Sequence, residues 1–271
     1  MKLLISASIL LLLGVYGLAG AQHGGSWREL EPGLELARFS TAAREAAAEG
    51  DLIVLRVDPG LWDLRVLARD RGLEDRSRTV RSWCEDFGLV AAVNAGMYQA
   101  DRRTHVGYCK VAGRMANPSA NDYLSALALN PVDPTDPPFR IFDLDEEPLA
   151  GVTARYHTVV QNLRLIKRSG ENRWQPSDER WQEAALGEDW QGRALLIYCG
   201  TPRSMAEFNE ILLELPLGLV AAQHLEGNAP ARLWVQHSGL PADDPFQGNN
   251  VGQLLPNILG VARRHPQIES E

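Results

Sequence analysis

The sequence predicts an α+β fold: a single domain of mixed or antiparallel β-sheets with a few packed helices. Three observations carry that expectation. The chain holds many short β-rich runs, only two segments combine helical spacing with helix caps, and strands and helices do not alternate regularly as they do in parallel sheets. No compositional break marks a second domain, so one domain is expected over 22–265, with a flexible tail over 266–271.

The elements follow in order. Residues 1–21 read as an export signal: Lys2, the apolar run Leu3–Leu18, then the small-x-small pattern Ala19-Gly20-Ala21. That run is too short and too weakly flanked for a stable membrane span. The protein is therefore expected in the periplasm or outside the cell after cleavage near Ala21. No cysteine follows the run to serve as a lipoprotein acylation site. Asp51–Val57 and Asp63–Ala68 are β-rich runs joined by Asp58-Pro59-Gly60, which predicts a hairpin. Thr79 can cap a helix running to Phe87, Gly88 fits its C-terminal stop, and Leu89–Val93 is then an apolar strand.

Val106–Val111, Ala126–Leu129 and Arg140–Leu144 are further strands, the last two separated by the proline-rich loop PVDPTDPP. Tyr156–Ile166, Trp181–Leu186 and Ala194–Cys199 continue the β pattern. The clearest helix starts at Ser204. Ser204 and Glu207 form a capping box, Met205, Phe208, Ile211, Leu212 and Leu215 keep helical spacing, and Pro216 and Gly218 end it. Leu219–Leu225, Ala231–Val235 and Pro256–Ala262 complete the strands.

Composition removes several function classes. The formal charge is −8 with no basic cluster, which excludes an electrostatic nucleic-acid binder. The sequence lacks a nucleophile elbow, a phosphate-binding glycine loop, a metalloprotease helix and a dinucleotide fingerprint. No Cys/His spacing suggests zinc, and the acidic run Asp143–Glu147 lacks the glycine and spacing of a calcium loop, so neither metal nor cofactor is expected. Cys84, Cys109 and Cys199 are an odd count in apolar surroundings and read as buried thiols, any pairing left open. The oligomeric state is likewise open.

GLVAA occurs twice, at 88–92 and 218–222. Each copy stops a helix, enters a buried strand and runs into polar residues. By strand alternation Asn94 and Gly96 share a face beyond the first copy, and His224 and Glu226 beyond the second. Gly96 and Gly227 would let backbone approach a ligand. A carboxylate at the end of an apolar strand is costly unless partnered or placed in a cleft, which singles out Glu226.

With these residues in view, the segments NAGMY (94–98), VGYCK (106–110), VVQNLRLI (159–166), AALG (184–187), LEGN (225–228) and PNILGV (256–261) resemble, in order, the landmarks of the phosphodiester glycosidase domain family. The resemblance spans Trp27 to Arg264. It maps the family's asparagine–glycine–aromatic motif onto Asn94, Gly96 and Tyr98, and its late acidic-glycine motif onto His224-Leu225-Glu226-Gly227-Asn228. Asn228 stands where a second glycine is usual, and Glu183 where an arginine is common.

The resemblance implies an exported hydrolase that cleaves a glycosyl phosphodiester in envelope or exopolysaccharide material. A phosphate monoester leaves readily, so the essential group is one carboxylate facing the developing oxocarbenium charge or activating water. Glu226 is that candidate, with His224 to orient water or bond the sugar. Asn94, Gly96, Tyr98, Gln161 and Gly227 are candidates for the sugar, and His105, Lys110 and Arg114 for the phosphate. Asn94, His105, His224 and Glu226 are expected to surround one pocket. The alternative, motivated by Asn228 and Glu183, is a catalytically silent glycan-binding or polysaccharide-assembly module on the same fold.

Overall fold

A computed structural model describes residues 26–41, 52–68, 76–240 and 252–264. The export segment with its Ala21 boundary and the expected C-terminal tail lie outside the described residues. Among these residues no helix is long and apolar enough to cross a membrane.

The chain begins with β1 (Arg28–Glu31), β2 (Leu34–Phe39), β3 (Leu52–Val57) and β4 (Trp62–Ala68). Helix α1 (Val80–Phe87) is capped by the Thr79 side chain and closed by Gly88 at φ 62, a left-handed conformation that glycine adopts without steric cost. Then come β5 (Ala91–Asn94), β6 (Cys109–Val111), β7 (Arg114–Asn117), β8 (Ser125–Pro131) and β9 (Phe139–Asp143). Helix α2 (Leu149–Arg155) leads into β10 (Tyr156–Asn162), β11 (Arg164–Lys167), β12 (Glu171–Asn172), β13 (Trp181–Asp189) and β14 (Ala194–Arg203). Helix α3 (Met205–Glu214) starts on the expected Ser204–Glu207 capping box and is followed by β15 (Leu219–Gly227), β16 (Leu233–Val235) and β17 (Asn257–Arg263).

These strands form three sheets, of eight (β1-β2-β3-β14-β13-β15-β11-β12), five (β7-β6-β10-β8-β9) and four strands (β16-β5-β17-β4). The strand pairings are antiparallel, which settles the α+β class on its antiparallel side. All three sheets meet in one central core, where Leu55 and Leu186 pack with Leu127 and Val160 and with Val93 and Leu259. Each sheet carries one helix on its other face. Phe208 and Leu212 of α3 cover Val54 and Ile197, Trp83 of α1 covers Ala92 and Ile258, and Val152 of α2 covers Ala126 and Ala128. Burial on both faces explains why strands such as Ala194–Cys199 read as unbroken apolar runs.

Three expectations change. The runs at 51–57 and 63–68 do not form a hairpin. The Asp58 turn forms, with Asp58 accepting from Leu61 and Trp62, but it passes the chain from the eight-stranded to the four-stranded sheet. Both edges of β3 are already taken, by β2 and β14, and β4 pairs instead with β17. The run 156–166 is likewise two strands in different sheets, broken at Leu163. Helix α2 was not expected: it is short, contains Gly151 and has no side-chain N-cap. The three cysteines are buried thiols outside any disulfide, and burial pushes the Cys84 thiol up.

Candidate active site

The two GLVAA copies lie in different sheets, β5 and β15. At the end of β15 the pairing with β13 runs Ala185↔His224, then Ala184↔Glu226, leaving Leu225 as the extra residue of a bulge. Alternation therefore fails there. Ala184 packs into the central core and Ala185 into the core under α3, so His224 and Glu226 partner residues of opposite faces. The expectation that they share a face is corrected by this bulge.

His224 is buried and its Nδ1 hydrogen-bonds Glu183 Oε1, while Trp181 Nε1 donates to Glu183 Oε2 at 2.7 Å. Burial alone would depress the imidazole, but Glu183 overrides it and holds His224 above its ordinary value. Burial raises the Glu183 carboxyl, against the pull of His224. The same indole explains Gly227: a Cβ there would sit 3.0 Å from Trp181 Cδ1.

Glu226 is the perturbed carboxyl of the group. Burial pushes it up to about 7; the Gly227 N–H, at 3.3 Å from Oε1, and His224 oppose that rise, and Glu183 adds to it. Two phenols feel its charge. Tyr98 is raised by burial and then by the charge of Glu226, and Tyr123 by burial, Asp122 and Glu226. A carboxyl that changes charge near neutrality can face a developing cation or accept a proton from water.

Behind Tyr98 lies a rigid support. Tyr98 bridges His105, and Asn162 Nδ2 donates to Ala95 O at 3.0 Å. Gly96 is pressed between them: a Cβ there would fall 2.2 Å from Asn162 Oδ1 and 2.3 Å from His105 Cε1. His105 is buried with Nε2 2.8 Å from Gln161 O, and burial pushes it down to about 4, so at neutral pH it offers no cation to a phosphate. Gln161 is saturated. Its Oε1 accepts from Tyr108 and Asn121 and its Nε2 donates to the Asn121 and Tyr123 carbonyls, leaving nothing for a sugar. It positions Tyr123 instead.

Asn94 ties β5 to the segment after Glu226: Nδ2 donates to Pro230 O at 3.0 Å, and Oδ1 accepts from Arg232 N at 2.8 Å. Lys110 Nζ donates to Thr153 O at 2.6 Å, inside α2, and Arg114 is exposed on β7, a sheet edge. Of the residues expected from the sequence, His224, Glu226 and Gly227 lie together at the end of β15, and the Tyr98 phenol feels the Glu226 charge; Asn94, Gly96, His105 and Gln161 are engaged in the framework around them, and Lys110 and Arg114 sit on the five-stranded sheet.

Four neighbours escaped the sequence reading: Tyr123, Trp181, Glu183 as a partner, and Arg232. Glu183, like Glu226, is a carboxylate on an apolar strand, and that cost is its signal in the sequence. Arg232 has a buried Nε without a hydrogen-bond partner, its Nη1 donates to Ala231 O at 2.6 Å, and its charge lowers the otherwise burial-raised Tyr198 phenol. Tyr198 and Glu226 are the two cross-strand partners of Ala184. Among the described residues no group of three or more His, Cys, Asp or Glu could hold a metal ion.

Comparison with known proteins bears on the family and the fold. The phosphodiester glycosidase family matches residues 87–262. The fold is similar to the catalytic domain of zebrafish N-acetylglucosamine-1-phosphodiester alpha-N-acetylglucosaminidase, auto-inhibited by its pro-peptide, with TM-score 0.64, 14% identity and coverage of 88% of this chain and 86% of that one. It is also similar to a hypothetical protein from Synechocystis, with TM-score 0.62, 13% identity and coverage of 89% of this chain and 64% of that one. No curated protein matches the sequence.

Proposed function

This chain belongs to the phosphodiester glycosidase family, and on that premise we propose that it hydrolyses a glycosyl phosphodiester with Glu226 as the key carboxylate. The observation that carries the proposal is the Glu226 carboxyl at the end of β15, raised to about 7 by burial and coupled electrostatically to the Tyr98 and Tyr123 phenols. Hydrolysis breaks the anomeric C–O bond and adds water. The phosphate monoester departs with the bonding electrons, and its low basicity removes the need for a strong acid. Ionised Glu226 faces the oxocarbenium-like carbon or takes the proton of the attacking water. The Tyr98 and Tyr123 hydroxyls bond the sugar, His224 is held by Glu183 to tune Glu226, and Arg232 supplies the countercharge for the phosphate.

The substrate we propose is envelope or exopolysaccharide material, met outside the cytoplasm. The support for export is the Leu3–Leu18 run with Ala19-Gly20-Ala21. The working domain is taken as 22–265.

A second reading, a catalytically silent glycan-binding or assembly module, is favoured by one observation. Glu183 stands where the resemblance expects arginine, and it is closed onto His224. Purified protein acting on an N-acetylglucosamine-1-phosphodiester separates the two. Sugar release that falls roughly 100-fold or more in Glu226→Gln supports hydrolysis. Background rates in both proteins, with glycan binding intact, support the silent module.

A further inference from the structure

A cavity of about 550 Å³ opens far from Glu226, at the other end of β13. Its rim includes Trp190, in the turn between β13 and β14, while Glu183 lies seven positions back along the strand, roughly 20 Å away. Trp190 is 70% exposed, on a backbone that is anchored. Its backbone N–H donates to Gly218 O at 2.9 Å, and its indole lies so close to Gly218 that a Cβ there would fall 2.5 Å from Trp190 Cδ1. Gly218 also takes φ 67, so glycine is required twice over. The turn itself is fixed by Asp189, which accepts from Gln191 N and Arg193 N at 2.9 Å each. An aromatic face left open to water on an anchored turn and backed by Gly218 is placed for contact, with little backbone entropy to lose on binding.

The walls are stiff as well. One is the Asp58-Pro59-Gly60 turn and the other the end of the proline-rich loop at Pro137 and Pro138, two motifs the active-site reading leaves unused. The floor is polar. Glu188, 2% exposed, accepts from Ile141 N at 2.7 Å and from Arg168 Nη2, and Arg140 Nη1 lies 3.7 Å away. Two guanidinium groups therefore share one carboxylate, and the Arg140 side chain, 37% exposed, keeps donors free for a ligand. An open indole beside fixed donors and acceptors matches a pyranose, whose C–H face stacks on an aromatic ring while its hydroxyls hydrogen-bond at the edge.

We propose that this cavity is a second carbohydrate site, with Trp190 as stacking platform and Arg140 and Gln191 as hydroxyl contacts, holding a saccharide unit of a longer glycan away from Glu226. The proposal does not rest on the hydrolase reading. The test titrates two probes, an N-acetylglucosamine oligomer and an oligogalacturonate, into wild type, Trp190→Ala, Arg140→Ala and Glu226→Gln, by calorimetry and tryptophan fluorescence. The expected result is binding of at least one probe, weakened roughly tenfold or more in Trp190→Ala and Arg140→Ala, with the Trp190-dependent binding retained in Glu226→Gln. Thermal unfolding of Trp190→Ala should match wild type, because the side chain is exposed. Absence of binding by both probes, equal binding in wild type and Trp190→Ala, or loss confined to Glu226→Gln overturns the proposal. Hydrolysis can fail in the separate phosphodiester assay without touching any of these outcomes.

Discussion

His224 and Glu183 are joined side chain to side chain between β15 and β13, both buried, with the Trp181 indole donating to the second carboxylate oxygen. Breaking such a pair leaves a buried group without its partner, at a cost of roughly 3–5 kcal/mol. Glu183→Ala should lower stability by an amount in that range. The sign of the pH dependence follows from the shifts. His224 is raised above 6.5, so its contribution is full below about 6.5 and fades as pH climbs through the higher folded value. Glu183 is raised as well, and its contribution fades in the same direction above its ordinary value of 4.5. Chemical denaturation across this range should therefore show wild type losing stability toward alkaline pH, with a flatter curve in Glu183→Ala. Parallel curves would mean that the pair does not couple folding to protons.

Gly96→Ala is expected to be severe. The new Cβ would meet Asn162 Oδ1 at 2.2 Å and His105 Cε1 at 2.3 Å. Neither side chain can swing away cheaply, because Asn162 is bonded to Ala95 O and His105 to Gln161 O in a buried setting. Overpacking of this kind costs about 1–3 kcal/mol or more. A lower unfolding midpoint is the measurement, with reduced activity as Tyr98 loses its support. A variant as stable as wild type would show that this segment yields.

Much of the fold was legible because its clues are local. Thr79, Gly88, Ser204 and Glu207 act within one helical turn of themselves, and both long helices lie where these caps put them. Strand partners were not legible in the same way. Asp58-Pro59-Gly60 does turn the chain, but only the occupied edges of β3 decide that the next strand leaves the sheet. The site divides similarly. Glu226 stood out through the cost of a carboxylate on an apolar strand, whereas the bulge at Leu225 depends on pairing with β13 and undid the inferred common face. Gln161 and His105 were polar in the right places, but their hydrogen-bonding capacity goes to backbone groups 40 and 56 residues distant.

Arg232 is expected to act on binding rather than on bond breaking. Its backbone is held by Asn94 and its Nε is buried without a partner. Arg232→Gln should raise KM for a glycosyl phosphodiester by roughly tenfold with a smaller change in kcat, because a charge-assisted hydrogen bond to phosphate is lost. Steady-state kinetics would show this. An unchanged KM would place the phosphate elsewhere.

The pH profile of kcat/KM on an N-acetylglucosamine-1-phosphodiester tests the central claim most directly. If the ionised Glu226 carboxylate carries the reaction, the rate rises about tenfold per pH unit on the acid side, bends at about 7 where this carboxyl titrates, and is flat above. In Glu226→Gln that limb disappears along with most of the activity. A profile that falls through neutrality, or one that keeps the same bend in Glu226→Gln, would contradict the assignment.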